Sequence, residues 1–180
     1  MTEEIIIAGF GGQGILSIGK ILAYSGLMQG QEVSWFPSYG PEMRGGTANV
    51  SVIISDERIS SPSIHECDTA IILNQQSLLK FEPLVRPGGV IIYDNYGIQI
   101  PPTRKDVSVF LIEAANLAHL LKNSKTFNMI VLGAYLKARP IITMEFITQG
   151  IEKSLPSRHK HLIPINMEAV KRGMEAVKAV

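Results

Sequence analysis

The sequence predicts an α/β fold: a mostly parallel sheet flanked by helices, followed by a helical C-terminal third. Three observations carry this reading. Short apolar runs alternate with segments of helical periodicity, a glycine-rich turn joins the first run to the first helical repeat, and after residue 112 the pattern is helical almost to the end.

The elements follow in order. "EEIIIAG" contains a buried strand at 4–8, and "ILSIGKILAYSGLMQG" a helix at 15–29 whose stripe is Ile15, Ile18 and Leu22. A second strand is expected at 32–36. At 47–54 Ala48, Val50, Val52 and Ile54 alternate with Thr47, Asn49 and Ser51, the signature of a half-buried strand, with "RISSP" as a candidate hairpin partner. Further strands are expected at 69–73, 90–93 and 107–112, and further helices at 75–85, 113–122, 126–138, 143–154 and 167–178. Thr143 and Asn166 stand where N-caps are expected. The 126–138 segment is apolar nearly all round until Lys137, which implies burial on more than one side or contact with another chain.

At 180 residues the chain is long enough for one domain, 1–180, with a core of its own. A net charge of +1, with no basic cluster interleaved with aromatics, gives no footprint for nucleic acid. No apolar stretch is long enough to span a membrane, and "MTEE" does not resemble a signal peptide, so the expected location is cytoplasmic. Cys67 is the single cysteine, which excludes an internal disulfide and a four-cysteine iron–sulfur cluster held by this chain alone.

The turn "AGFGGQGI" places Gly9, Gly11 and Gly14 at G-x-G-x-x-G spacing, with Gly12 as an extra, between a strand and a helix. Such a loop brings backbone N–H groups and a helix N-terminus close to a phosphate, and the fold that carries it is Rossmann-like. A purely structural strand–helix turn uses the same residues. Nicotinamide dinucleotides are disfavoured, because the second strand ends in Trp35, Phe36, Pro37 and Ser38, where an acidic residue is expected to hold the ribose; Glu32 lies at the other end.

The segment "WFPSYGPEMRGGTANVSVIIS" follows the second strand and is expected beside the glycine loop, where ligands collect at strand carboxyl ends. Together "GFGGQGI", "SYGPEMRGGTANVSVIIS", the later "NMIVLGAYL" and a near-terminal "IN" before a helix resemble the gamma subunit of 2-oxoacid:ferredoxin (acceptor) oxidoreductases along essentially the whole chain. The 2-oxoglutarate type is preferred over the pyruvate and branched-chain types.

The resemblance implies a complex that oxidatively decarboxylates a 2-oxoacid, joins the acyl group to coenzyme A and passes electrons to ferredoxin or a similar acceptor. It implies that partner subunits hold thiamine diphosphate and the iron–sulfur clusters, and that this chain contacts coenzyme A. Carried over to this sequence, Gly11, Gly12, Gln13 and Gly14 would face the pyrophosphate, the Gln13 amide included. Arg44 would add a charge-assisted bond to a phosphate, and Ser38, Tyr39 and Glu42 would line the mouth. A salt bridge to Glu42 or a subunit contact is the alternative for Arg44, and packing the alternative for Tyr39. No residue is assigned a proton-transfer or nucleophilic role.

His65 and Cys67 lack the further ligands that a metal site requires. His119, His159 and His161 read as surface or core-edge residues. Asp94 ends an apolar run and is a loop candidate, and Asn128 needs a polar partner if buried, in the glycine loop or a neighbouring subunit. Two other functions stay open: a purely structural interaction subunit, and a free-standing flavin or nucleotide-binding redox protein.

Overall fold

The computed structural model describes residues 1–39 and 47–180, except for the side chain of Tyr39. Seven strands form one sheet: β1 Thr2–Phe10, β2 Glu32–Tyr39, β3 Thr47–Ser55, β4 Cys67–Ile72, β5 Val85–Asp94, β6 Ser108–Ile112 and β7 Lys178–Ala179. Their spatial order is β2-β3-β1-β4-β5-β6-β7. β1, β4, β5 and β6 pair in parallel, while β3 runs antiparallel between β1 and β2, and β7 antiparallel to β6. Five strands therefore point one way, β2 among them, and the mostly parallel sheet expected from the sequence is present.

The helices are α1 Ile15–Met28, α2 Gln75–Phe81, α3 Ala114–Leu120, α4 Phe127–Ala138, α5 Met144–Ser154 and α6 Ile163–Ala176. α1, α3, α4, α5 and α6 cover one face of the sheet, packing on Ile5, Ile7, Val50, Val52, Ile71 and Ile92. The opposite face, with Ile6, Ala8, Ala70, Ile72 and Ile91, is covered by Leu78 and Phe81 of α2 and by Ile98.

Every residue of α4 from Met129 to Leu136 is buried, which accounts for its all-round apolarity within this chain. Its other neighbour is α6: a Cβ on Gly133 would run into the Val170 carbonyl, and one on Gly173 into that of Ile130, so the two backbones touch where these glycines face each other.

Several elements differ from the sequence expectation. β3 pairs with β2 and β1 rather than with "RISSP", which forms no strand. α2 stops at Phe81, and Glu82–Leu84 tightens into a 3₁₀ turn, because Pro83 offers no N–H to continue the helical ladder. α6 begins at Ile163, with Pro164 in its first turn, where a missing N–H costs nothing; Asn166 is thus inside the helix and not its cap. Thr143 does precede α5, but its side chain makes no capping bond. The chain end turns back as β7, pairing Leu111 with Lys178.

At the amino edge of the sheet lies a buried acid. Glu3 is fully buried, accepts Thr69 Oγ1 at 2.6 Å and Arg139 Nε at 3.0 Å, and is ion-paired with Arg139 Nη2. The acidic "MTEE" start is thus in part core.

Candidate functional site

The glycine loop occupies the carboxyl edge of β1. Gly12 and Gly14 have φ of 96° and 76°, left-handed backbone that a Cβ disfavours, and Gly14 is the N-cap residue of α1. No side chain caps α1 among the described residues, and its first turn holds no acid. Its leading N–H groups are therefore available to an anion, with the positive end of the helix dipole behind them.

Gln13 closes this loop from within. Its Oε1 accepts the Phe10 N–H at 2.6 Å, its Nε2 reaches the Leu73 carbonyl at 3.4 Å, and its backbone N–H donates to Phe10 at 3.3 Å. The side-chain amide that the resemblance directs at a phosphate holds the turn in shape here, bonded to Phe10 and Leu73. Gly11 and Gly12 are exposed.

A cleft of about 1300 Å³ opens against Gly12, Gln13 and Gly14 and is walled on the far side by α3, the α3–α4 turn and the start of α4. That wall carries His119, Lys122, Lys125 and Asn128, with Tyr96 also lining the cleft. His119, read from the sequence as a peripheral residue, is thus exposed into the cleft. Asn128 finds its neighbour in the glycine loop, where a Cβ on Gly14 would lie 2.7 Å from its Nδ2.

The second predicted loop is framed but only partly described. Tyr39 pairs with Ala48, and Ala48 with Gly9, so the strand ends bounding residues 40–46 stand at the same sheet edge as the glycine loop, the β3 end one strand spacing away and the β2 end two, roughly 10 Å. Glu42 and Arg44 lie outside the described residues, as does the side chain of Tyr39. Ser38 is exposed and in register with Asn49 and Ala8, which puts it on the α2 face of the sheet rather than in the cleft. Period-two alternation places Ser38 on that face, away from the loop that the motif places it beside.

Asp94 has a different task from a ligand contact. It is buried at the end of β5, and its Oδ1 accepts the Ala114 N–H at 2.9 Å, fixing the start of α3 and hence the wall of the cleft. Burial raises its pKa against the opposing effect of its N–H donors. Cys67 is buried as well, its thiol pushed up to about 12 by desolvation, far above the lowered range of reactive cysteines. Among the described residues no group of three or more His, Cys, Asp or Glu side chains is arranged to hold a metal. No helix among them is long and apolar enough to cross a membrane. What the cleft offers chemically is main-chain N–H groups on one wall and ammonium and amide groups on the other, donors that suit an anion.

Known proteins resemble this chain along nearly its whole length. The family model described as pyruvate ferredoxin/flavodoxin oxidoreductase matches residues 4–176. Ketoisovalerate oxidoreductase subunit VorA of Methanothermobacter marburgensis is 50% identical over 173 residues, which is 96% of this chain and 36% of that protein. The chain thus spans about a third of that relative's length. 2-Oxoglutarate synthase subunit KorC of Methanocaldococcus jannaschii is 32% identical over 181 residues, 99% of this chain and 95% of its own. The fold recurs, with a TM-score of 0.86 and 24% identity over 97% of this chain and 31% of the other, in a solved structure of 2-oxoglutarate:ferredoxin oxidoreductase from Magnetococcus marinus with 2-oxoglutarate, coenzyme A and succinyl-CoA bound. With a family match that runs through both the glycine loop and the cleft wall, the chain belongs to the pyruvate ferredoxin/flavodoxin oxidoreductase family.

Proposed function

We propose that this chain is the gamma-type subunit of a 2-oxoacid:ferredoxin oxidoreductase and contributes the site for coenzyme A. In this reading the complex decarboxylates a 2-oxoacid oxidatively, transfers the acyl group to coenzyme A and delivers the electrons to ferredoxin or a similar acceptor. Thiamine diphosphate and the iron–sulfur clusters belong to partner subunits, in keeping with a single, buried cysteine here.

The observation that carries the reading is the uncapped start of α1 opening into the cleft. Gly11 and Gly12 give a phosphate close access to backbone N–H groups, and the helix end supplies partial positive charge. Gly14 and Asn128 position that loop against α4, while Asp94 fixes α3. The role of this chain is to bind and orient, and no bond-making step is assigned to its side chains. The bound coenzyme A of the Magnetococcus complex supports the reading only as an analogy of fold.

Two relatives point to different acids. The KorC subunit, matched over 95% of its length, favours 2-oxoglutarate as the first substrate to test, and VorA makes ketoisovalerate the second. The deciding experiment for coenzyme A is Gly12→Val in the assembled complex. A side chain there displaces the phosphate and strains a left-handed residue, so the half-saturating coenzyme A concentration should rise while assembly, read by size-exclusion chromatography, stays intact. An unchanged requirement in a normally assembled variant rejects the site.

A further inference from the structure

The wall of the cleft opposite the glycine loop has a feature that packing does not explain, and its interpretation rests on the coenzyme A reading. α3 ends in a left-handed cap, in which the Lys122 N–H donates to the His119 carbonyl at 2.9 Å and the Asn123 N–H to the Ala118 carbonyl at 3.1 Å. Lys122 itself has φ 52°, the only positive φ at a non-glycine residue among the described residues. Glycine is the ordinary occupant of such a cap, because a Cβ in left-handed backbone crowds the following carbonyl. A lysine kept there at the expense of stability points to a use for its side chain.

The cleft supplies that use. Lys122 and Lys125 line it together with Gly12 and Gly14, and neither lysine has a carboxylate partner among the described residues. Tyr96, 81% exposed and otherwise an uneconomical place for an aromatic ring, lines the same cleft. The glycine-loop wall offers neutral N–H groups, whereas the lysine wall offers full charges. Coenzyme A carries a diphosphate, which N–H groups and a helix end suit, and in addition a ribose 3′-phosphate and an adenine ring.

We propose that Lys122 and Lys125 form the site for the ribose 3′-phosphate, with Tyr96 stacked on the adenine, so that the α3–α4 turn distinguishes coenzyme A from its dephospho form. The chemistry is that of a doubly ionised phosphate between two ammonium groups, each a charge-assisted donor. Base stacking on Tyr96 adds affinity that is indifferent to the 3′-phosphate. The strained cap then has a functional reason, since it turns a residue just beyond α3 toward the cleft rather than along the helix.

The test measures binding of coenzyme A and of dephospho-coenzyme A to the assembled complex, for the wild type and for Lys122→Gly, Lys125→Ala and Gly12→Val. Lys122→Gly and Lys125→Ala should each weaken coenzyme A about tenfold and dephospho-coenzyme A less than about twofold. Lys122→Gly should also raise the melting temperature, because glycine is relieved of the left-handed strain. If neither lysine variant changes the ratio of the two affinities while Gly12→Val weakens both ligands, the 3′-phosphate site is rejected and the coenzyme A reading stands. If Gly12→Val is also without effect on either ligand, the coenzyme A reading fails and this inference fails with it.

Discussion

Asn128, in the first turn of α4, lies against Gly14 at the start of α1, so close that a Cβ placed on Gly14 would fall 2.7 Å from Asn128 Nδ2 and 2.8 Å from its Cβ. Two helices that begin far apart in the chain are thereby held together at the cleft, and the space between them admits only a hydrogen. Gly14→Ala meets two penalties, a left-handed φ and a filled contact, and should destabilise the protein by roughly 2–4 kcal/mol in urea unfolding. Adding Asn128→Gly, which removes both the amide and the Cβ that the new methyl would meet, should recover the packing part, about 1 kcal/mol or more, in the double-mutant cycle and leave the backbone part. Simple additivity of the two substitutions would show that the contact does not bear on stability.

How much of this was legible beforehand depends on the range of the signal. The glycine loop, its strand and its helix are local, and spacing alone located them within a residue or two. The inward set of β3 was legible as well, since alternation reports a face. Alternation does not report a partner, and the pairing of β3 with β1 and β2 depends on which edges are left free once the helices have packed. Lys122 and Lys125 were missed because "LLKNSK" reads as the polar end of a helix; nothing in it signals that the turn faces a loop more than a hundred positions earlier. The one available hint was a helix end with no glycine to cap it. Glu3 was illegible for the same reason, because its burial requires Arg139, 136 residues away.

That buried acid gives the second prediction. Arg139 is about one-third exposed while Glu3 is fully buried, so removing the arginine leaves a carboxylate without solvent or counter-charge. Arg139→Met should cost roughly 3 kcal/mol, near the low end of the range for a broken buried pair, since Thr69 Oγ1 still donates to Glu3. Replacing Glu3 by Gln in the Arg139→Met background should restore part of the loss by removing the stranded charge. A double variant no more stable than Arg139→Met alone would refute the account.

The last prediction uses the pH dependence of Asp94. Its folded pKa is raised, chiefly by burial, above that of the unfolded chain, which is about 3.9. For a carboxyl shifted in this direction the ionised form is penalised in the folded state. The penalty is fully present above the folded pKa and is relieved as pH falls through the folded pKa toward the unfolded value. Asp94→Asn keeps an oxygen able to accept the Ala114 N–H and removes the titrating charge, so its stability relative to wild type should be highest at neutral pH and decline as the solution is acidified. Thermal midpoints of both proteins between roughly pH 3 and pH 8 provide the comparison, because every other carboxylate titrates alike in the two and cancels in the difference. Parallel curves would mean that Asp94 is not shifted. A gap that widens toward acid would mean that its N–H donors outweigh burial and that the shift runs the other way.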